Sequence, residues 1–250
     1  MNLSTRHLPL KDMGEFLLGY EIQVRANQLD FGPQATKAMA IAAICHSGQT
    51  RSNRGPLPRD TYITHPLRNA LRLLRYGVTD QDLILAAILH DTVEDAAETI
   101  VNGIAVYTVV LSEDNTDRAL ALRFLSWEFG EETARLIEGV TNPVPEFKLS
   151  KEGKRAFYVA HVRDALKDPK TAVVKLTDIV DNAVGLYHNT GMSSDAQSHL
   201  AAKYMPLIDD FMSCVREEAV IALLTPRGAA EALRHLEKGR TELDKILARV

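Results

Sequence analysis

The chain is poor in cysteine: Cys45 and Cys214 are the only two among 250 residues. Both stand in apolar, helix-like stretches, so buried thiols are expected and a disulfide scaffold is excluded. It also lacks any apolar run near the ~20 residues that a membrane helix needs. The first residues carry Arg6, Lys11 and Asp12 but not the apolar core of a secretory signal. Charge of one sign is missing too: 29 Lys and Arg against 33 Asp and Glu leave a net charge of −4. No global basic field draws the chain onto nucleic acid, so neither nucleic acid nor a membrane is an expected partner, and an anionic ligand needs a local cluster of cations. What is present, 46% hydrophobic and 25% charged residues, is the balance of an ordinary globular protein. The expectation is a soluble cytoplasmic protein, with a homo-oligomer compatible with this composition.

Helical periodicity dominates. A first amphipathic helix spans Gly14 to Leu29 and is stopped by a Phe31-Gly32-Pro33 turn, and a second runs from Gln34 to His46. The breaker-rich stretch Ser47 to Thr61 is too polar for a core and reads as a functional loop. Pro66 suits the first turn of the next helix and leaves His65 at its mouth. Thr79 is the expected cap of a helix over Asp80–His90, whose interior Leu83, Ile84, Ala86, Ala87 and Ile88 is apolar enough to lie in the middle of a domain. Ile104 to Leu111 is β-branched and predicts a strand or hairpin arm turning at Ser112-Glu113-Asp114-Asn115. Further helices are expected over Lys151–Lys167, Thr171–His188 and Asp195–Ala219, and a last one from Thr225-Pro226 onward. The fold class is therefore all-α, with a short β-hairpin insertion around 100–115. The division is an N-terminal helical extension over 1–33, a main domain over 34–220 with an insertion at 96–121, and a C-terminal helix over 221–250 packed on the same domain.

Chemistry concentrates in Tyr62-Ile63-Thr64-His65-Pro66, His90-Asp91-Thr92-Val93-Glu94-Asp95 and Lys175-Leu176-Thr177-Asp178, with Asn182 one turn farther on. An imidazole and a carboxylate side by side at the end of an apolar helix cost several kcal/mol unless paired or coordinated. One divalent cation satisfies both. His65 and Asp178 then complete a set of two imidazoles and two carboxylates with positions open for water and substrate. Glu94 and Asp95 lie one turn beyond the pair, at an offset that reaches a water without ligating the ion. Taken singly each residue is unremarkable: an HD dipeptide occurs by chance, His65 reads as a helix-cap histidine and Asp178 as a solvated helix residue. The order of the segments, each set in helix, is the signal. The basic run Lys148, Lys151, Lys154 and Arg155 reads either as a solvated helix start or as a clamp for a phosphorylated group. His46, a candidate for a second metal, reads better as a non-ligand; His161 and His188 read as polar positions on helix surfaces.

With His46-Ser47-Gly48-Gln49-Thr50-Arg51 added, these segments resemble the HD-domain alarmone hydrolases. These are the small alarmone hydrolases and the hydrolase half of the bifunctional Rel/SpoT stringent-response enzymes. The resemblance spans about Gln34 to Tyr204. It implies an all-α HD-domain bundle that binds one metal ion per chain, commonly Mn²⁺, through His65, His90, Asp91 and Asp178. It implies that Glu94 and Asp95 position and deprotonate the attacking water. Asn182 would contact the sugar or the water network, Arg51 would lie against the purine, and Tyr204 would line the nucleotide pocket, with Lys151, Lys154 or Lys203 near the phosphates. Ser52 stands where that family usually has lysine, and Leu200 where it has an arginine for the phosphate, so the base and phosphate contacts differ from the usual pattern.

The activity the resemblance implies is metal-dependent removal of the 3′-pyrophosphate from a purine alarmone, of guanosine or adenosine type. Two alternatives remain open. One is a phosphatase acting on another phosphorylated nucleotide such as NADPH. The other is a nucleotide-sensing or antitoxin-like binding module, against which the intact Glu94-Asp95 pair argues.

Overall fold

A computed structural model describes residues 8–51, 59–104, 116–189 and 191–249. Among them lie eleven α-helices and one two-stranded sheet, so the all-α class holds. The chain divides into two compact units, one of residues 1–49 and 61–138, the other of 50–60 and 139–250. No helix among the described residues is long and apolar enough to cross a membrane.

The first unit contains α1 (Glu15–Gln28), α2 (Gly32–Cys45), α3 (Thr64–Tyr76), α4 (Gln81–Leu89), α5 (Thr92–Thr99), α6 (Asp117–Phe129) and most of α7 (Glu131–Val140). Helix α1 packs on α2 and α3, α4 packs on α2 and α3, and α5 packs on α2 and α6. Helix α4 is the centre of this core: Leu83 through Leu89 are all buried, as its nearly unbroken apolar sequence requires. Its cap is Asp80, whose carboxylate accepts from the Asp82 N–H at 2.9 Å, one position later than the expected Thr79. The Gly32-Pro33 pair does not form a turn between helices but opens α2 itself. Proline's fixed φ and missing N–H suit a first turn as well as they suit a break. Helix α3 ends at Gly77, whose φ of 92° is the left-handed conformation that glycine adopts without penalty.

The second unit contains α8 (Lys151–Ala165), α9 (Pro169–Ala183), α10 (Ser194–Cys214) and α11 (Glu218–Leu247). Helix α11 lies on α9 and α10, and α8 on α10 and α9. It starts earlier than the expected Thr225, but Thr225 leaves the helical dihedrals with φ 67° and ψ 154°, so the break falls where the Thr-Pro pair places it. Within the expected loop Ser47–Thr61, two-residue strands β1 (Thr50–Arg51) and β2 (Asp60–Thr61) pair. Of the expected hairpin, residues 100–104 form one π-helical turn rather than a strand. Residues 105–115, including the rest of the strand and the Ser112–Asn115 turn, lie outside the described residues, as does Ser52.

Candidate metal centre and anion-facing residues

In the first unit, His65 opens α3 and His90 and Asp91 form the joint between α4 and α5. Among the described residues these three make a group able to hold a metal ion, with donor atoms all within 4.8 Å of one another. His90 Nε2 lies 3.1 Å and His65 Nε2 3.5 Å from the same oxygen, Asp91 Oδ2. Both imidazoles are buried, at 3% and 1% exposure, and the Asp91 side chain is 17% exposed.

The chemistry of this donor set fits a cation. His90 Nδ1 faces the Ala87 carbonyl at 3.0 Å, and a carbonyl can only accept, so the proton sits on Nδ1. In the neutral ring Nε2 then turns a lone pair toward an anionic oxygen. Two electron-pair donors hold that distance only with positive charge between them, a proton or a metal ion. Burial opposes ionisation of Asp91, but the charges of His90 and His65 and hydrogen bonds from His90 and Tyr62 outweigh it, holding the carboxyl well below the usual range.

Tyr62 has a part that its sequence context did not assign. Its hydroxyl donates to Asp91 Oδ2 at 2.7 Å, while its ring lies 4.6 Å from that of His46 and edge-on to His65 at 5.8 Å. The His65 and His90 rings follow edge-on at 5.2 Å. His46 donates from Nδ1 to Gln49 Oε1 at 3.0 Å, and burial pushes its pKa down. The His46 ring lies against Tyr62 and is not one of the three residues grouped around the candidate metal position among the described residues.

Glu94 and Asp95 occupy the first turn of α5. The turn is cut short at Ala96, whose φ of −147° is not helical, and the Glu94 carbonyl accepts from Arg118 at 3.4 Å. By surface area Asp95 is exposed. Partial burial of its carboxyl, and then the charges of Asp91 and Glu94, still push its pKa up to about 6. That is a value suited to a group that exchanges protons near neutrality.

In the second unit, a polar chain runs through Arg51, Asn182, Asp178 and Lys175. Arg51 Nη2 donates to Asn182 Oδ1, and Asn182 Nδ2 donates to Asp178 Oδ1 at 2.6 Å. Lys175, buried at 3% exposure, donates to the Val140 carbonyl at 3.1 Å and stands 3.5 Å from Asp178 Oδ2. Residues 175, 178 and 182 are spaced by three and four, which lines them up on one face of α9. Arg51 and Asn182, read separately from the sequence, are thus in contact. Lys175 was missed, although its place three residues before Asp178 is the signal that could have found it. Tyr204 is buried on α10, Lys203 beside it is half-buried, and Lys151 and Lys154 are exposed on the first turns of α8.

No family model matches the chain. It is 32% identical over 151 residues to the guanosine-3′,5′-bis(diphosphate) 3′-pyrophosphohydrolase of Aquifex aeolicus, covering 60% of this chain and 17% of that one. It is 27% identical over 147 residues to the bifunctional (p)ppGpp synthase/hydrolase SpoT of Escherichia coli, covering 58% and 17%. The chain therefore spans less than a fifth of the length of these curated relatives. A solved structure of a metazoan SpoT ortholog that hydrolyses ppGpp matches with a TM-score of 0.50 at 20% identity, over 86% of this chain and 93% of that one. The sequence relatives bear out the resemblance read from the motifs, and the structural match bears out the HD-type helical fold.

Proposed function

We propose that the chain is a metal-dependent phosphohydrolase that removes the 3′-pyrophosphate from purine alarmones of the (p)ppGpp or (p)ppApp type in the cytoplasm. The observation that carries the proposal is the convergence of His65, His90 and Asp91 on one point, with Asp95 one turn farther along α5. The names of the relatives support this substrate class. His65, His90 and Asp91 would hold the ion, Mn²⁺ in this reading, and the motif around Asp178 makes it the fourth proposed ligand. When bound, the ion supplies Lewis acidity, polarising a phosphoryl oxygen and acidifying water. The Ala87 carbonyl fixes the tautomer of His90, and Tyr62 fixes the orientation of Asp91. Asp95 takes the proton of the attacking water, and Glu94 orients that water. Arg51, restrained by Asn182, offers a planar cation to the base.

The test is a product assay. The purified chain with Mn²⁺ is offered guanosine and adenosine alarmones, NADPH and simple nucleoside phosphates, and the released group is identified. Pyrophosphate from an alarmone is expected. Orthophosphate from NADPH with no alarmone turnover would replace this reading with a nucleotide phosphatase, and no turnover of any substrate would leave a binding module.

A further inference from the structure

The expected insertion over 96–121 has no part in the chemistry described above, yet its far end reaches the acid pair. Helix α6 begins at Asp117, and Arg118 is its second residue. A cation there is poorly placed for α6 itself, because the N-terminus of a helix carries partial positive charge. Thr116 Oγ1 accepts from the Ala119 N–H at 3.3 Å and so caps the turn that carries Arg118. The half-buried Arg118 reaches from α6 to α5, on which α6 packs, and its Nη2 donates to the Glu94 carbonyl at 3.4 Å.

That carbonyl stands where α5 bends. The Asp95 N–H donates to the Asp91 carbonyl at 2.9 Å, so one regular turn ties the acid pair to the His90-Asp91 joint. Ala96 follows with φ −147° and ψ 29°, inside the turn that would run from the Glu94 carbonyl to the Glu98 N–H. Nothing in the local sequence calls for a bend: α5 holds no glycine or proline, and alanine has the highest helix propensity of all residues. A side chain inserted into the backbone ladder is another cause of a sharp bend, and Arg118 supplies one. Its guanidinium stays charged, and its donors are set in a rigid plane.

Resting on the phosphohydrolase reading above, we infer that Arg118 is a positioning residue. It pins the bend that follows Glu94 and Asp95, and so sets where both carboxylates stand relative to His65, His90 and Asp91. It acts through the backbone of α5.

The test compares Arg118→Met, which has a long stem and no donor, with Arg118→Lys, which keeps a charged donor, both in the full chain. Hydrogen exchange at the amides of residues 97–100 should quicken roughly three- to tenfold in Arg118→Met, the loss of one charge-assisted hydrogen bond, while α4 keeps its protection. In the same variant kcat should fall about tenfold with KM and metal content nearly unchanged, because a misplaced base slows the reaction without loosening binding. Arg118→Lys should recover most of that loss. In an Asp95→Asn background no base remains to be placed, and Arg118→Met should cost less than about twofold further. A merely structural role would cost the same in both backgrounds. Should Arg118→Met not fold, Arg118→Gln, too short to reach the carbonyl, is put through the same cycle. Unchanged exchange over residues 97–100 overturns the inference. So does an equal loss of kcat with and without the Asp95 carboxylate, or a loss that lysine does not relieve. Exchange needs no turnover, so faster exchange in a chain that hydrolyses no alarmone refutes the proposed function and leaves the hold of Arg118 on α5 standing. An alarmone hydrolase whose exchange and kcat are indifferent to Arg118→Met refutes the inference alone.

Discussion

Two carboxylates, one in each unit, are stabilised by opposite means. Asp178 has one oxygen taken by the Asn182 amide and the other facing the Lys175 ammonium, so its charge is balanced by the protein itself. Asp91 has the Tyr62 hydroxyl and two imidazole nitrogens gathered on a single oxygen. Those rings balance the charge only if a proton or an ion joins them. The difference teaches where a cation is needed for the fold to be electrostatically complete. It is needed at Asp91, where the donors outnumber the positive charges; at Asp178 an ammonium is built in, and a metal ion there would share the carboxylate with Lys175.

The largest expected effect breaks the comparison at Asp91. Asp91→Asn keeps the shape and removes the charge, and turnover should fall by about three orders of magnitude, the loss of several kcal/mol of transition-state stabilisation. Elemental analysis should show metal content falling with it. Treatment of the unaltered chain with a chelator should reproduce the loss of turnover, and added Mn²⁺ should restore activity only there.

Next comes Asp95→Asn, expected to cut turnover by roughly two orders of magnitude with metal content retained. Its pH dependence has a definite sign. A carboxyl raised to about 6 is favoured by the fold in its protonated form. That share of stability is whole below the usual carboxylate range and is lost as pH rises through about 6. Base function needs the ionised form and is gained over the same interval. Turnover of the unaltered chain should therefore climb with pH, with its midpoint lowered from about 6 as far as the bound ion offsets the Asp91 charge, and the residual turnover of Asp95→Asn should lack that limb. Wild-type turnover in Asp95→Asn at saturating metal would remove Asp95 from the proton transfer.

Lys175→Met probes the other carboxylate. Removing one partner of a buried ion pair leaves the other uncompensated, at a cost of about 3 kcal/mol. Urea denaturation should show a lower midpoint with an unchanged slope. An unchanged midpoint would mean that the ammonium does not neutralise Asp178. The smallest effect is expected for Tyr62→Phe, about tenfold in metal affinity, the lower end for losing a residue that orients a ligand. Turnover at saturating metal should stay close to that of the unaltered chain.

The same contrast explains how much was legible beforehand. His90 and Asp91 stood out because polar residues at the end of so apolar a helix as α4 need a reason. His65 and Asp178 followed from the order of the segments, and the structure brings His65 to the pair. Tyr62 and Lys175 were not legible as partners, since a phenol beside a motif and a lysine in a helix acquire meaning only when folding chooses what they face. Asp80 took the cap from Thr79 because either side chain can fold back on a backbone N–H two or three residues on. The strand pair at Thr50–Arg51 and Asp60–Thr61 is too short for any period-two pattern to register. Helix starts misread at Gly32-Pro33 reflect the two uses of proline, as a stop and as a first-turn residue.

Thr225 bears on where this chain can be cut or joined. A β-branched residue at φ 67° costs on the order of 1–3 kcal/mol and persists only where its surroundings hold it. Its hydroxyl accepts from the Gly228 N–H at 3.2 Å, and Pro226 supplies the fixed φ that a first turn wants. The later stretch of α11 therefore begins with a cap of its own and does not depend on the turn before it for its first hydrogen bond. Pro226 and Arg227 are exposed there, while Leu224 on one side and Gly228 on the other are buried. An engineer seeking a site for a linker or a label would find it at this joint, where the backbone already changes direction and the later piece keeps a capping hydrogen bond of its own.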